Sequence, residues 1–293
     1  MAPHLEARVV AALNELASGV ATEHAGGFIA EAGEPNDVDS AASVLVKAYF
    51  SSEEDAMGGA EVARELTGLP QPSEDLFLRL LPEEDWAGLW KRYFGVQRIS
   101  PTLVVVPTWK KYGAKPGEKV ITLDPGMAFG TGQHPTTRLC LAAIERLVQP
   151  GDRVLDVGAG SGILSVCAVL CGAGEVFGID VDEPTVAAAV ANAELNGVSA
   201  LTHFEHGTLG ERWPNGWPTA QDFDLVVANI SARAVIALSP LFAAALRNGG
   251  HVLTSGFLED SVKEISAVLE GAGFQKLRTR RRGEWRSIEG TLR

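Results

Sequence analysis

The sequence predicts an α/β protein: an open, mostly parallel sheet with helices on both faces, preceded by a small α+β domain. Three observations carry that expectation. From Thr137 onward, apolar runs of strand length alternate with longer segments of helical period. The run FDLVVANI is an almost unbroken apolar stretch, as a strand covered on both faces requires, and RVLDVG reads as a strand before it. Before residue 83 the pattern changes to helix, strand, strand, helix, strand, an order that suits a small α+β domain of roughly 80 residues.

In chain order, LEARVVAALNEL places Leu5, Val9, Leu13 and Leu16 on one helical face. GGFIAEAG and SVLVKAYF read as short strands, EDAMGGAEVARELTGL as a helix and DLFLRLL as a strand, which together make a domain of residues 1–82. Residues 83–115 read as a linker helix and connection. There Trp86, Trp90, Tyr93 and Phe94 share a face that suits docking on a core. Residues 116–293 form the larger domain. TTRLCLAAIERL is its first clear helix, followed by RVLDVG as strand, ILSVCAVLCG as helix, EVFGIDV as strand and EPTVAAAVANAELNG as a helix closed by Gly197. LTHFEHG and FDLVVANI are the third and fourth strands. SPLFAAALRNGG reads as a helix, HVLTSGF as a strand and SVKEISAVLEGAG as a helix. QKLRTRRR and EWRSIEGTLR flank Gly283 as a hairpin that adds one antiparallel edge strand to a seven-stranded sheet.

Composition narrows the function. The chain has 293 residues, 46 % of them apolar and 21 % charged, as a globular protein with two cores has. Its longest apolar run, ILSVCAVLC, is half a membrane span. Glu6, Arg8 and Glu15 interrupt the N-terminal apolar pattern, so no secretory signal is read and a cytoplasmic protein is expected. Three cysteines make no disulfide framework. Cys167 and Cys171 stand four apart without further ligands, so they read as core packing and no metal site is expected. A net charge of -12 argues against direct nucleic-acid binding, and Arg278 to Arg282 read as the solvated face of an edge strand.

One constellation carries chemistry. In VLDVGAGSG, Gly158, Gly160 and Gly162 free the backbone to turn sharply after a strand and to approach a ligand. Asp180 ends the next strand, 22 residues after Gly158, where an acid accepts hydrogen bonds from ribose hydroxyls. That pair suits a dinucleotide or S-adenosylmethionine. A dinucleotide turn wants a third glycine where Ile163 stands. Asp156 instead precedes the glycines, and a carboxylate there repels a diphosphate but suits the ammonium of a methionine moiety. The residues therefore favour a methyltransferase over a dehydrogenase or a non-enzymatic nucleotide module. Asn229 closes the fourth strand with an amide able both to donate and to accept. His134 reads as a structural loop histidine rather than a general base, and His206 stands where it could flank an adenine.

MAFGTGQHPTTRLCL, VLDVGAGSGIL, Asp180 and VVANI together resemble the PrmA family, the methyltransferases of large-subunit ribosomal protein L11. The linker EEDWAGLWKRYFGVQRISPTLVVVPTW is similar too, so the resemblance spans roughly residues 83–293. It implies a Rossmann-like class I methyltransferase fold, S-adenosylmethionine as cofactor, and lysine or N-terminal amines of L11 as acceptors. Another protein lysine or a small amine is the alternative acceptor. It implies a monomer, cofactor contacts at Thr137, Gly158, Asp180 and Asn229 beside Asp156 and Gly160, and a flap formed by the stretch holding Gly130 and Gly132. The family's N-terminal domain is ferredoxin-like, whereas this chain opens on a helical pattern. Amide- and base-modifying relatives carry Asn-Pro-Pro-aromatic after the fourth strand. This chain reads Asn229, Ile230, Ser231, Ala232, which agrees with an amine acceptor rather than a stacked base.

Overall fold

A computed structural model describes residues 3–14, 19–24, 44–49, 53–68, 95–124, 132–210, 213–218 and 221–293. The chain divides into two compact units, Met1–Pro82 and Glu83–Arg293.

In the first unit, helix α1 (Pro3–Asn14) is followed by strands β1 (Gly19–His24) and β2 (Val44–Tyr49) and helix α2 (Glu53–Thr67). The strands pair antiparallel, Gly19 opposite Tyr49 and His24 opposite Val44. Val9, Leu13 and Ala63 join the two helices in a small core. Strand β1 was not expected, because GVATEH lacks the alternation of large apolar residues that marks its partner. The strands expected at GGFIAEAG and DLFLRLL, and the aromatic face of Trp86, Trp90, Tyr93 and Phe94, lie outside the described residues.

The second unit begins with a three-stranded sheet of β3 (Gln97–Arg98), β4 (Leu103–Pro107) and β5 (Lys119–Leu123). Strand β3 pairs antiparallel and β5 parallel with β4, whose five residues are all buried. Sequence reading had assigned no strand to these segments.

The main sheet takes β6 (Arg153–Val157), β7 (Glu175–Asp180), β8 (Thr202–His206), β9 (Phe223–Asn229), β10 (Leu246–Leu258), β11 (Phe274–Arg282) and β12 (Trp285–Leu292). Their order is β11-β12-β10-β9-β6-β7-β8. Helices α3 (Pro135–Leu147), α4 (Ile163–Leu170), α5 (Glu183–Leu195), α6 (Ala232–Ala245) and α7 (Val262–Gly271) cover its two faces. Side chains alternate between them, as the period of a strand demands. Val154, Val176, Leu225 and Val227 join a core with α3, α4 and the small sheet. Leu155, Phe177, Val226 and Ala228 join another with Phe242 of α6 and Ile265 of α7.

Two expectations need correction. The helix read as SPLFAAALRNGG begins earlier, at Ala232, where the Ser231 hydroxyl accepts from the Ala234 amide at 3.4 Å. Ser239-Pro240 looks like a helix start because proline favours the first turn. Here Pro240 lies inside α6, and Arg247 to Gly250 belong to β10. The hairpin, in turn, contributes two strands. The antiparallel one, β12, is interior, between β10 and β11, while β11 forms the edge and runs parallel to β10. Interior β12 is hard to recognise because it carries Arg286 and Glu289, which are buried charges; Glu289 pairs with Arg146 at 2.6 Å.

Candidate functional site

The sheet order reverses between β6 and β9: β7 and β8 extend it one way, β9 and β10 the other. Open α/β sheets take their ligands in the crevice outside the carboxyl ends of the strands at such a switch, here those of β6, β7 and β9.

From β6 the chain enters the glycine turn. Gly158 has φ +73°, and a Cβ there would lie 2.4 Å from Cγ2 of Ile230, so only glycine fits beneath the segment following β9. Gly162, at φ +76°, ends the turn against α5, where a Cβ would meet that of Ala189 at 3.0 Å. Between them the Gly160 amide donates to Oδ2 of Asp180 at 2.9 Å. The other carboxylate oxygen of Asp180 accepts from the Asp182 amide at 3.1 Å. Asp180 therefore braces the turn from the neighbouring strand and remains half-buried.

Asp156 points to the face covered by α4. It is 1 % exposed, and its Oδ2 accepts from the Ser165 hydroxyl at 2.7 Å. Burial pushes its carboxyl up to about 7; the charge of Asp180 acts in the same sense, and the bonds to Ser165 oppose them. Asn229 closes β9, with its Nδ2 at 3.5 Å from the hydroxyl oxygen of Thr137, a fully buried residue in the first turn of α3. Residues 92 apart in sequence thus meet at the crevice.

His134 is a helix cap. Its Nδ1 accepts from the Thr136 amide at 3.4 Å, and its ring lies edge-on to Trp285 at 4.5 Å. Burial holds its pKa down to about 4, so the ring is neutral at pH 7. His206 ends β8 with Nε2 3.0 Å from the Val181 carbonyl oxygen. Cys167 packs in the core with Cys171 against it. Of the two glycines expected to serve a flap, Gly130 lies outside the described residues, and a Cβ on Gly132 would sit 3.2 Å from Val105 and 3.4 Å from Ile163. Ser165 and Asn192 escaped the sequence reading. A buried asparagine within the alanine-rich VAAAVANAEL is the signal that could have found the second.

Two buried oxygens test which ligand the crevice fits. Oδ1 of Asp156 and Oδ1 of Asn229 have no hydrogen-bond partner among the described residues. Both are acceptors, and a buried acceptor left without a donor costs about 1–3 kcal/mol. Such a site asks for N–H donors and positive charge, which S-adenosylmethionine brings in its ammonium and sulfonium. A diphosphate brings neither and would face Asp156.

A doubly wound sheet with an Asp-x-Gly-x-Gly-x-Gly turn at its switch point, braced by an acid on the next strand, defines a Rossmann-like class I methyltransferase that depends on S-adenosylmethionine. The chain belongs to the ribosomal protein L11 methyltransferase (PrmA) family, whose model matches residues 1–293. That match also takes in residues 1–82, where the sequence reading found no family motif. The chain is 42 % identical over 233 residues to a ribosomal protein L11 methyltransferase of Chloroflexus aurantiacus, covering 73 % of this chain and 71 % of the relative. To the protein of that name in Herpetosiphon aurantiacus it is 36 % identical over 286 residues, 91 % of this chain and 88 % of the relative. A crystal structure of ribosomal protein L11 methylase from Lactobacillus delbrueckii subsp. bulgaricus superposes with a TM-score of 0.61 at 34 % identity, covering 68 % of this chain and all of that one.

Proposed function

We propose that the chain methylates lysine side-chain amines, and the N-terminal amine, of ribosomal protein L11. The observation that carries this reading is the unpartnered Asn229 Oδ1 at the switch point, an acceptor placed beside Thr137. S-adenosylmethionine supplies an activated methyl group on a sulfonium, so the protein needs no nucleophile of its own.

We assign the roles as follows. The half-buried Asp180 carboxylate receives the ribose hydroxyls while it braces Gly160, and the backbone at Gly158 and Gly160 lines the adenosine path. Asp156 takes the methionine ammonium on Oδ1, its buried oxygen without a hydrogen-bond partner among the described residues. Thr137 offers its hydroxyl to the methionine carboxylate at the start of α3. Asn229 orients the acceptor amine through Oδ1. A lysine amine with a free pKa of about 10.4 requires roughly 4 to 5 kcal/mol to be neutral at pH 7. Desolvation beside a cation lowers that pKa, and Asn229 fixes the approach of the neutral amine, so we assign no general base.

Residues 1–82 are proposed to recognise the protein substrate, 83–115 to link, and 116–293 to hold the cofactor. We take the enzyme to act as a cytoplasmic monomer without direct nucleic-acid contact, in keeping with its net charge of -12. Among the described residues no helix is long and apolar enough to cross a membrane. Intact-mass spectrometry of L11 incubated with enzyme and methyl donor tests the assignment. Mass gains in steps of one methyl group, with the sites mapping to amines, are expected. An unchanged L11 with cofactor binding intact would move the acceptor to another protein or a small amine.

A further inference from the structure

Helix α5 carries Asn192 and is closed one turn later by Asn196 as its C-cap, both on the face toward β5. Each grips the main chain at the edge of that strand as a neighbouring strand would. Asn196 accepts from the Thr122 amide at 2.8 Å and donates to the Thr122 carbonyl at 2.6 Å. Asn192 accepts from the Asp124 amide at 2.9 Å and donates to the Asp124 carbonyl at 3.0 Å. Each makes one further bond: the Asn196 amide donates to the Asn192 carbonyl at 2.7 Å, whereas the Asn192 amide donates to the carbonyl of Ser161, inside the glycine turn, at 2.9 Å. Asn192 is 1 % exposed and Ser161 is fully buried, so water does not substitute for these bonds.

This joins the end of β5 to the glycine turn. Asp124 is the residue from which the chain leaves β5 toward Gly132 and Thr137, and Ser161 lies between the turn glycines Gly160 and Gly162. One turn earlier on α5, Ala189 closes against Gly162. We infer that Asn192 is a positioning residue for S-adenosylmethionine, fixing the end of β5 at a set spacing from the glycine turn and so holding that turn in the shape the cofactor meets. Asn196 is the built-in control, because it makes the same pair of hydrogen bonds to β5 while its third bond goes to the Asn192 carbonyl and not to the turn. The inference rests on the cofactor reading above.

Calorimetric titration of S-adenosylhomocysteine into the wild type, Asn192→Ala and Asn196→Ala, with Tm recorded for each, tests it. Asn192→Ala should raise Kd about tenfold, and KM for S-adenosylmethionine with it while kcat holds, whereas Asn196→Ala stays within about twofold at a similar loss of Tm. Equal Kd shifts in the two variants, or a wild-type Kd in Asn192→Ala, would overturn the inference. A wild-type protein that binds no S-adenosylhomocysteine would instead remove the cofactor reading. Amide exchange on the wild type keeps the inference testable even if Asn192→Ala does not fold. S-adenosylhomocysteine should slow exchange at the Asp124 amide more than at the Thr122 amide, and equal protection at both overturns it.

Discussion

Two helices begin at the rim of the crevice, and they begin in opposite ways. Helix α3 is closed at its start: His134 caps it, Pro135 occupies its first turn, and the Thr136 amide is bonded to the His134 ring. Helix α4 is open: its cap is Gly162 in the left-handed region, with no side-chain hydrogen bond. An uncapped first turn leaves backbone N–H groups and partial positive charge at the crevice, while a capped one does not. Under the function proposed above, the α4 side meets the ligand with main chain and with the carboxylates of Asp156 and Asp180, and the α3 side with a side chain, Thr137.

The strongest way to break this contrast is at the open side. Asp180→Ala removes both the brace on Gly160 and the proposed ribose acceptor, and should weaken S-adenosylhomocysteine about a hundredfold by calorimetry. A change of only a few-fold would mean that the open turn does not hold the nucleoside.

A smaller effect comes from Asp156. Its carboxyl is raised to about 7 by burial, so the folded apo protein holds a proton that the unfolded chain has released above pH 4. Stability from this group is complete at low pH and is lost as pH rises through about 7. An ammonium ligand favours the ionised form, so its binding expels the proton. Affinity for S-adenosylhomocysteine should fall roughly tenfold between pH 8 and pH 6, and Asp156→Asn should flatten that dependence. A slope that persists in Asp156→Asn assigns the proton to another group.

The smallest effect belongs to the closed side. His134→Ala removes a cap and should cost about 1 kcal/mol in urea unfolding, leaving the pH profile of kcat where it was. If the acid limb of that profile moved, His134 would be a reacting group and the contrast between the two helices would fail.

What was legible in the sequence was what is local. The main-sheet strands are short apolar runs, and Gly158, Gly160 and Asp180 sit at set distances along one β-turn-α-β segment, so their convergence follows from topology alone. The contact between Thr137 and Asn229 was within reach once both were assigned to the carboxyl end of the sheet. Asn192 was not, because its partners Asp124 and Ser161 lie 68 and 31 residues away and no period announces them. The start of α6 was misplaced because Ser239-Pro240 carries a stronger local start signal than Ser231, and tertiary packing overrode it. Strand β12 hid its interior place behind charges that find partners only in the fold.

That interior place has a bearing on how the protein comes off the ribosome. Synthesis runs from the N-terminus, and β12 is made after every strand it must lie between or beside. Until Trp285 and the residues following it emerge, β10 presents a bare row of main-chain donors and acceptors from His251 to Leu258, the kind of edge that pairs with other chains. Solubility of the nascent chain therefore depends on its last strand arriving promptly, and chains cut short before Trp285 should be collected as aggregates rather than as weakened enzymes.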